Sequence, residues 1–245
     1  MRVSGLLIHM RSLRLLVFSV VVGALVFPSA PIAQRPSAVQ ADLNRAADAV
    51  LALKSTRFSI KREGAPAFLD EKVGITFTTA DCIYAAPDRV SCNVKVTTRN
   101  GTVLQLTRVW VPEGIFQTNP LTRQFTKLPA ADTNFNGPLL FARTGVPAIL
   151  RADVQKTQVV GKEKVQGADT LHLKGEVSGA KLSPLIGTLK ADLTYPVDLW
   201  MDAASANAVQ LHVAEPDGNG WLIELSGANE PQTIATPQLP PPAGR

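Results

Sequence analysis

The chain has 245 residues, 45% hydrophobic and 18% charged, which supports a packed core and excludes wholesale disorder. The formal net charge is +5, and Arg2, Arg11 and Arg14 supply three of those charges within an acid-free stretch, residues 1–34. The remaining balance is too mild for nucleic-acid binding or for strong attraction to anionic lipid.

Arg11 and Arg14 precede an uncharged run, LLVFSVVVGALVF, from Leu15 to Phe27. A positive start, an apolar stretch and then small residues form the layout of a secretory signal. Cleavage would fall near Ala30 or Ala33, each with a proline at its −3 position. Counted to Ala33, the uncharged stretch approaches the length of a membrane-spanning helix, so an uncleaved anchor is the alternative. Residues 1–34 are therefore expected to be a signal peptide or an N-terminal anchor, with export in either case. No cysteine closes the run, so lipid attachment has no acceptor there.

Ser37 followed by Gln40 predicts a capping box and a helix from Ala38 to Lys54. Val39, Leu43, Ala46, Ala47, Val50 and Leu53 form its apolar stripe. That stripe needs a flat apolar surface to lie on. Strands are predicted at Thr56–Arg62, Val73–Ala85, Arg89–Thr98, Thr102–Val111, Ile115–Thr118 and Arg123–Leu128, with a loop at Glu63–Lys72. Asn100-Gly101 is a strong hairpin turn. Pro129 to Arg151 has no period of two and reads as a long loop with one or two short helices.

The sheet resumes at VVGKEKVQGADTLHLKGEV, Val159 to Val177, two strands on a Gln166-Gly167 turn. Leu171, Leu173 and Val177 share one face of the second strand, while Thr170, His172, Lys174 and Glu176 share the other. Such alternation marks a half-buried antiparallel strand. A short helix at Gly179–Gly187 and strands at Tyr195–Asp202, Ala208–Ala214 and Gly220–Ser226 follow. One domain is expected over residues 35–231, with a Pro-rich disordered tail at 232–245.

Cys82 and Cys92 are placed symmetrically about the Ala86-Pro87-Asp88 turn, the spacing of direct cross-strand neighbours. A disulfide is the favoured reading for an exported chain; two separate buried thiols are the alternative. Strict alternation puts Cys82 with Thr76 and Thr78, so the pairing requires a bulge if Cys82 is to join the apolar face.

Motifs for catalysis are lacking. His172 and His212 each fall on the polar face of a strand, which predicts exposed or sheet-surface histidines. Ser178-Gly179-Ala180-Lys181 matches S-x-x-K without the partner motifs of serine acyl-enzymes. Neither a phosphate loop nor a dinucleotide fingerprint is present. Asp198, Asp202 and Glu224 are dispersed along strands. No catalytic residue, metal site or cofactor is assigned.

The segments AADAVLALKSTRFSI (46–60), APDRVSCNVKV (86–96), NPLTRQFTKLPA (119–130), the Val159–Val177 hairpin and PVDLWMDAAS (196–205) together resemble the LppX/LprG-type envelope lipoproteins, which are similar in fold to the carriers LolA and LolB. The resemblance implies an α+β fold: a single large curved antiparallel sheet, a half-barrel, with helices over its concave face. It also implies an apolar cavity for acyl chains of a lipid or glycolipid, with a membrane surface or membrane transporter as partner. The chain is expected to act as a monomer, and Gly137–Leu150 as a mobile flap. The missing lipid-attachment cysteine and the Cys82/Cys92 pair depart from the family pattern.

Strand phase nominates Ile60, Ile75, Phe77, Val94, Trp110, Phe116, Leu140, Phe141, Ile149, Leu171, Leu173 and Leu199 as cavity-lining residues, with core packing the competing reading for each. The leading functional expectation is an exported lipid carrier. A structural or protein-binding envelope module with a filled core is the second, and an enzyme the third.

Overall fold

The computed structural model describes residues 37–129 and 135–241. The expected signal or anchor segment lies outside the described residues. Helix α1 (Ala38–Ala52) starts as the sequence indicates, with the Ser37 hydroxyl accepting from the Gln40 backbone N–H at 3.2 Å. The other half of the capping box is not made. Gln40 Nε2 instead donates to the carbonyls of Leu150 and Arg151, at 3.2 and 3.1 Å. These carbonyls belong to the last turn of α3 (Val146–Ala152), where backbone acceptors need outside donors. A local cap is thus traded for a tie between two helices. Leu43, Ala46, Ala47 and Val50 are buried, as the stripe predicts.

The rest is one antiparallel sheet of twelve strands, open at both edges. Its centre is β1 (Ser55–Glu63). From there β3 (Ile75–Ala85), β4 (Arg89–Thr97), β5 (Val103–Val111), β6 (Gly114–Thr118) and β7 (Phe125–Leu128) step outward in one wing. The other wing runs inward from β8 (Gln155–Val165) through β9 (Ala168–Ser178), β10 (Thr194–Asp202) and β11 (Ala208–Ala214) to β12 (Gly220–Ser226), which pairs with β1. A further strand, β2 (Ala67–Asp70), pairs with β3 where the sequence suggested only a loop. Four residues just after Gly64 and Pro66 carry too little pattern to announce a strand whose partner supplies its order.

Short turns build each wing. Gln166 and Gly167 both have positive φ, 50° and 84°, as a two-residue hairpin turn of this hand requires. Edge strand β8 exposes Lys156, Lys162 and Lys164 and shifts register twice against β9, features that discourage pairing with another chain.

The wings are joined by the connection from β7, at one edge, to β8, at the other. That segment must traverse the whole face of the sheet. Along the way it forms α2 (Gly137–Phe141) and α3, which lie on the inner face. A fourth helix, α4 (Gly179–Leu182), and the turns after it add Leu182, Leu185, Ile186 and Leu189 to the same core. Beneath α1, Leu43, Ala46 and Ala47 join Leu150, Leu173, Leu199, Met201 and Ala206 in a second cluster.

The third cluster, Ala85, Val109, Val111, Phe116 and Ile234, lies apart from these two. Since β-strand side chains alternate, Val109 and Val111 point away from the face that Trp110 occupies. The cluster is therefore on the outer face, and the C-terminal tail covers it. Residues 232–241 form no helix or strand, yet Ile234 is buried and its carbonyl accepts from Arg89 Nη1 at 3.1 Å. The Thr236 hydroxyl donates to Glu113 at 3.0 Å. Ile234 and Thr236 thus fasten the start of the tail to the sheet, while residues 238–241 are exposed.

Among the described residues, no helix is long and apolar enough to cross a membrane.

Candidate functional site

The inner face depends on one irregularity. Register shifts between Phe77 and Thr79 against β4, and this bulge reverses the phase of β3. Ala80, Cys82 and Tyr84 thereby join Phe77 on the inner face. Cys82 lies directly opposite Cys92, and the two form a disulfide with Cα atoms 4.1 Å apart. Both are buried in the main core.

Between sheet and helices lie two small apolar cavities, of about 80 and 50 Å³. The first sits over the β1–β5 wing and β12, and Ile60, Phe77, Cys92, Val94, Leu106, Trp110 and Trp221 help to line it. The second sits over the β9–β12 wing beneath α1 and α3, lined by Leu43, Ile149, Leu173, Val177, Leu199 and Val213 among others. Leu140 from α2, Ile186 and Ile223 line both. These three side chains form the partition between them. Each volume is well below the roughly 300–1,000 Å³ of an ordinary small-molecule site.

Of the residues nominated from strand phase, Ile60, Phe77, Val94, Trp110 and Leu140 line the first cavity, and Leu140, Ile149, Leu173 and Leu199 the second. The other four lie elsewhere. Phe116 is on the outer face with Ile234. In β6 both Ile115 and Phe116 are apolar, and pairing of Ile115 with Trp110 selects Ile115 for the inner side. Phe141 is a core residue, stacked on Tyr84 and edge-on to Phe58. Leu171 packs at the margin of the cluster beneath α1. Ile75 is half-buried opposite Asp70 of β2 and lines neither cavity.

Several lining residues escaped the sequence reading. Trp221 and Ile223, like Leu211 and Val213, show the same alternation as the nominated residues. Arg108 left a different signal, a cation in the apolar phase of Leu104, Leu106 and Trp110. It lines the first cavity, and its Nε donates to Gln117 Oε1 at 2.9 Å. Burial lowers its pKa from the ordinary guanidinium value.

Gly175 interrupts the Leu171, Leu173, Val177 series for a steric reason. A Cβ there would lie 2.4 Å from Val154 Cγ1 and 3.0 Å from the Gln155 carbonyl. The chain leaving α3 packs directly on this bare backbone.

The polar side chains gather on the outer face. His172 is buried, not exposed: its Nε2 is 2.6 Å from Asp198, its Nδ1 2.9 Å from Glu163, and its ring stacks on Trp200 at 4.2 Å. His212 lies 3.2 Å from Glu63. Cross-strand pairing of His172 with Trp200 and of Asp198 with His212 assembles this group, which single-strand patterns do not reveal. None of these residues lines either cavity.

A sequence model of the LppX_LprAFG lipoproteins matches residues 37–234. The chain belongs to the LppX_LprAFG lipoprotein family. Among solved structures it is similar to LprF from Mycobacterium bovis, with a TM-score of 0.66 and 18% identity over 83% of this chain and 99% of that one. It is also similar to the Mycobacterium tuberculosis lipoprotein LppX, with a TM-score of 0.58 and 18% identity over 81% and 98% of the two chains. At this identity the two likenesses establish the fold. No curated protein matches the chain. The open antiparallel sheet with helices on one face is the architecture that the resemblance implied.

Proposed function

We propose that this chain is an exported lipid carrier that takes acyl chains between its sheet and its helices, for transport or presentation in the cell envelope. The carrying observation is the pair of apolar cavities meeting at Leu140, Ile186 and Ile223. Their cover is made of short pieces: α2, α3 and α4 have five, seven and four residues. Helices of this length have little stability of their own and hold their place by packing. Acyl chains enter by displacing Leu140 and the segment around it, which merges the two spaces. Membership of the LppX_LprAFG lipoprotein family supports this reading. The ligand is a lipid or glycolipid, delivered at a membrane surface or by a membrane transporter, and the chain acts as a monomer without catalysis.

The small volumes favour a second reading, a protein-binding envelope module with a filled core. One experiment separates the two. Native mass spectrometry of the protein purified from its own membranes should reveal co-purified lipid, and Ile186→Trp, which fills the partition, should reduce the occupancy. A clean apo mass, together with capture of a specific protein partner, would establish the filled-core module instead.

A further inference from the structure

The inner face carries two arginine–tryptophan pairs, and they are finished differently. In the first, the Arg62 guanidinium lies 5.0 Å from the centre of the Trp221 ring. Glu215 completes it, accepting from Trp221 Nε1 at 2.7 Å and from Arg62 Nη2 at 3.2 Å. Indole N–H and guanidinium thus share one carboxylate.

In the second, the Arg108 guanidinium lies 5.9 Å from the Trp110 ring. Gln117 offers a neutral oxygen to Arg108, and among the described residues no carboxylate pairs with it. Guanidinium has five N–H donors, and Gln117 Oε1 takes those of Nε and Nη2, so Arg108 keeps its charge and further donors for another acceptor. Trp110 is 4% exposed, and its Nε1–H has no acceptor among the described residues. The Thr188 Oγ1 is likewise buried without a partner. Arg108, Trp110 and Thr188 all line the first cavity. Buried polar groups are almost always satisfied, so two unpartnered ones, Trp110 Nε1–H and Thr188 Oγ1, on a space that the Arg108 cation also lines point to a missing acceptor.

We propose that this end of the first cavity binds the anionic oxygen of a lipid head, a carboxylate or a phosphate, in the role that Glu215 fills for Arg62 and Trp221. The proposal rests on the carrier reading and adds a head-group preference to it. Arg108 supplies the charge, and the Trp110 N–H and the Thr188 hydroxyl each donate to the same acid. The acyl chain then runs from Trp110 past Leu140 toward the second cavity. A neutral lipid of the same chain length leaves the three donors unfilled and binds more weakly.

The test uses the full chain stripped of lipid and titrated with oleate, oleoyl lysophosphatidate, oleyl alcohol and inorganic phosphate. Both anionic lipids should bind about ten-fold or more tightly than the alcohol. Arg108→Gln should abolish that preference, and Thr188→Val should reduce it. In NMR spectra the indole N–H resonance assigned by Trp110→Phe should shift with oleate and less with the alcohol, a reading that needs no variant at Arg108. Equal affinity for oleate and oleyl alcohol overturns the head-group site and leaves lipid carriage standing. Failure of all three lipids overturns both. Inorganic phosphate binding as tightly as the anionic lipids would make this a free-anion site and overturn the lipid assignment.

Discussion

The ring of Phe141 lies on the ring of Tyr84, with centroids 4.0 Å apart and planes 10° from parallel. Phe141 is the last residue of α2, and Tyr84 stands on β3 in the floor of the sheet. Phe58 of β1 meets the same ring edge-on at 5.5 Å. This contact fastens a five-residue helix that propensity alone would not hold. Phe141→Ala should therefore cost about 3 kcal/mol or more in urea unfolding. A loss under about 1 kcal/mol would mean that α2 is held by other contacts.

The Cys82–Cys92 bond spans ten positions of sequence. In the chain-entropy account, closing a loop of this size stabilises by roughly 3 kcal/mol. Reductant should lower wild-type stability by about that amount and leave a Cys82→Ala, Cys92→Ala double variant unchanged. Because both sulfurs sit in the main core beside the first cavity, the double variant should also bind lipid less tightly. Denaturation with and without reductant measures the first effect, and lipid titration the second.

Gly145 links α2 to α3, and a Cβ placed on it would lie 1.6 Å from the Leu139 carbonyl oxygen. Backbone cannot give way there as a flexible side chain could. Gly145→Ala should force α2 and α3 apart and cost more than about 2 kcal/mol. Hydrogen exchange should show the loss concentrated in residues 137–152, and uniform loss across the sheet would contradict this.

Asp202, at the end of β10, organises the turn into β11. Its carboxylate accepts from the Ser205 N–H at 2.7 Å, from the Ser205 hydroxyl at 2.8 Å and from the Ala204 N–H at 3.2 Å. The Ser205 backbone bond and then its hydroxyl hold the Asp202 pKa below the ordinary 3.8. A carboxylate lowered on folding stabilises fully above its unfolded pKa, and that stabilisation fades as pH falls through the folded value. Asp202→Asn should thus melt below wild type near neutrality, with the gap closing at pH values under about 4. A gap that stays constant down to pH 2 would contradict the assigned role.

Much of this architecture was legible in the residues. The Leu171, Leu173, Val177 alternation and the Leu43, Ala46, Ala47, Val50 stripe each declare one buried face, because a single period fits them. Phe116 was misplaced because its neighbour Ile115 is also apolar, and only pairing across to Trp110 decides the phase. The bulge at Thr78 was implied by the conflict between Cys82 and its strand, though its position was not. His172 looked exposed because its cover, Trp200, comes from the adjacent strand. The unfilled donors beside Arg108 depend on β5 meeting the turn after α4, which no local pattern encodes.

The path of the chain across the inner face also limits how this molecule can open. The segment carrying α2 and α3 is fixed at one rim through β7 and at the other through β8. A strap anchored at both ends can slacken or slide, but it cannot swing like a hinged door. Helix α4 is tethered at both ends too, by β9 and β10. Helix α1 joins the sheet through its C-terminal end alone, where Leu53 leads into β1. It is also tied to α3, by the two Gln40 bonds to the end of that helix and by the ion pair of Asp48 with Arg151. Side-chain ties and the packing of Leu43, Ala46 and Ala47 hold the rest of α1, so this helix can shift against the sheet while the strap stays fastened.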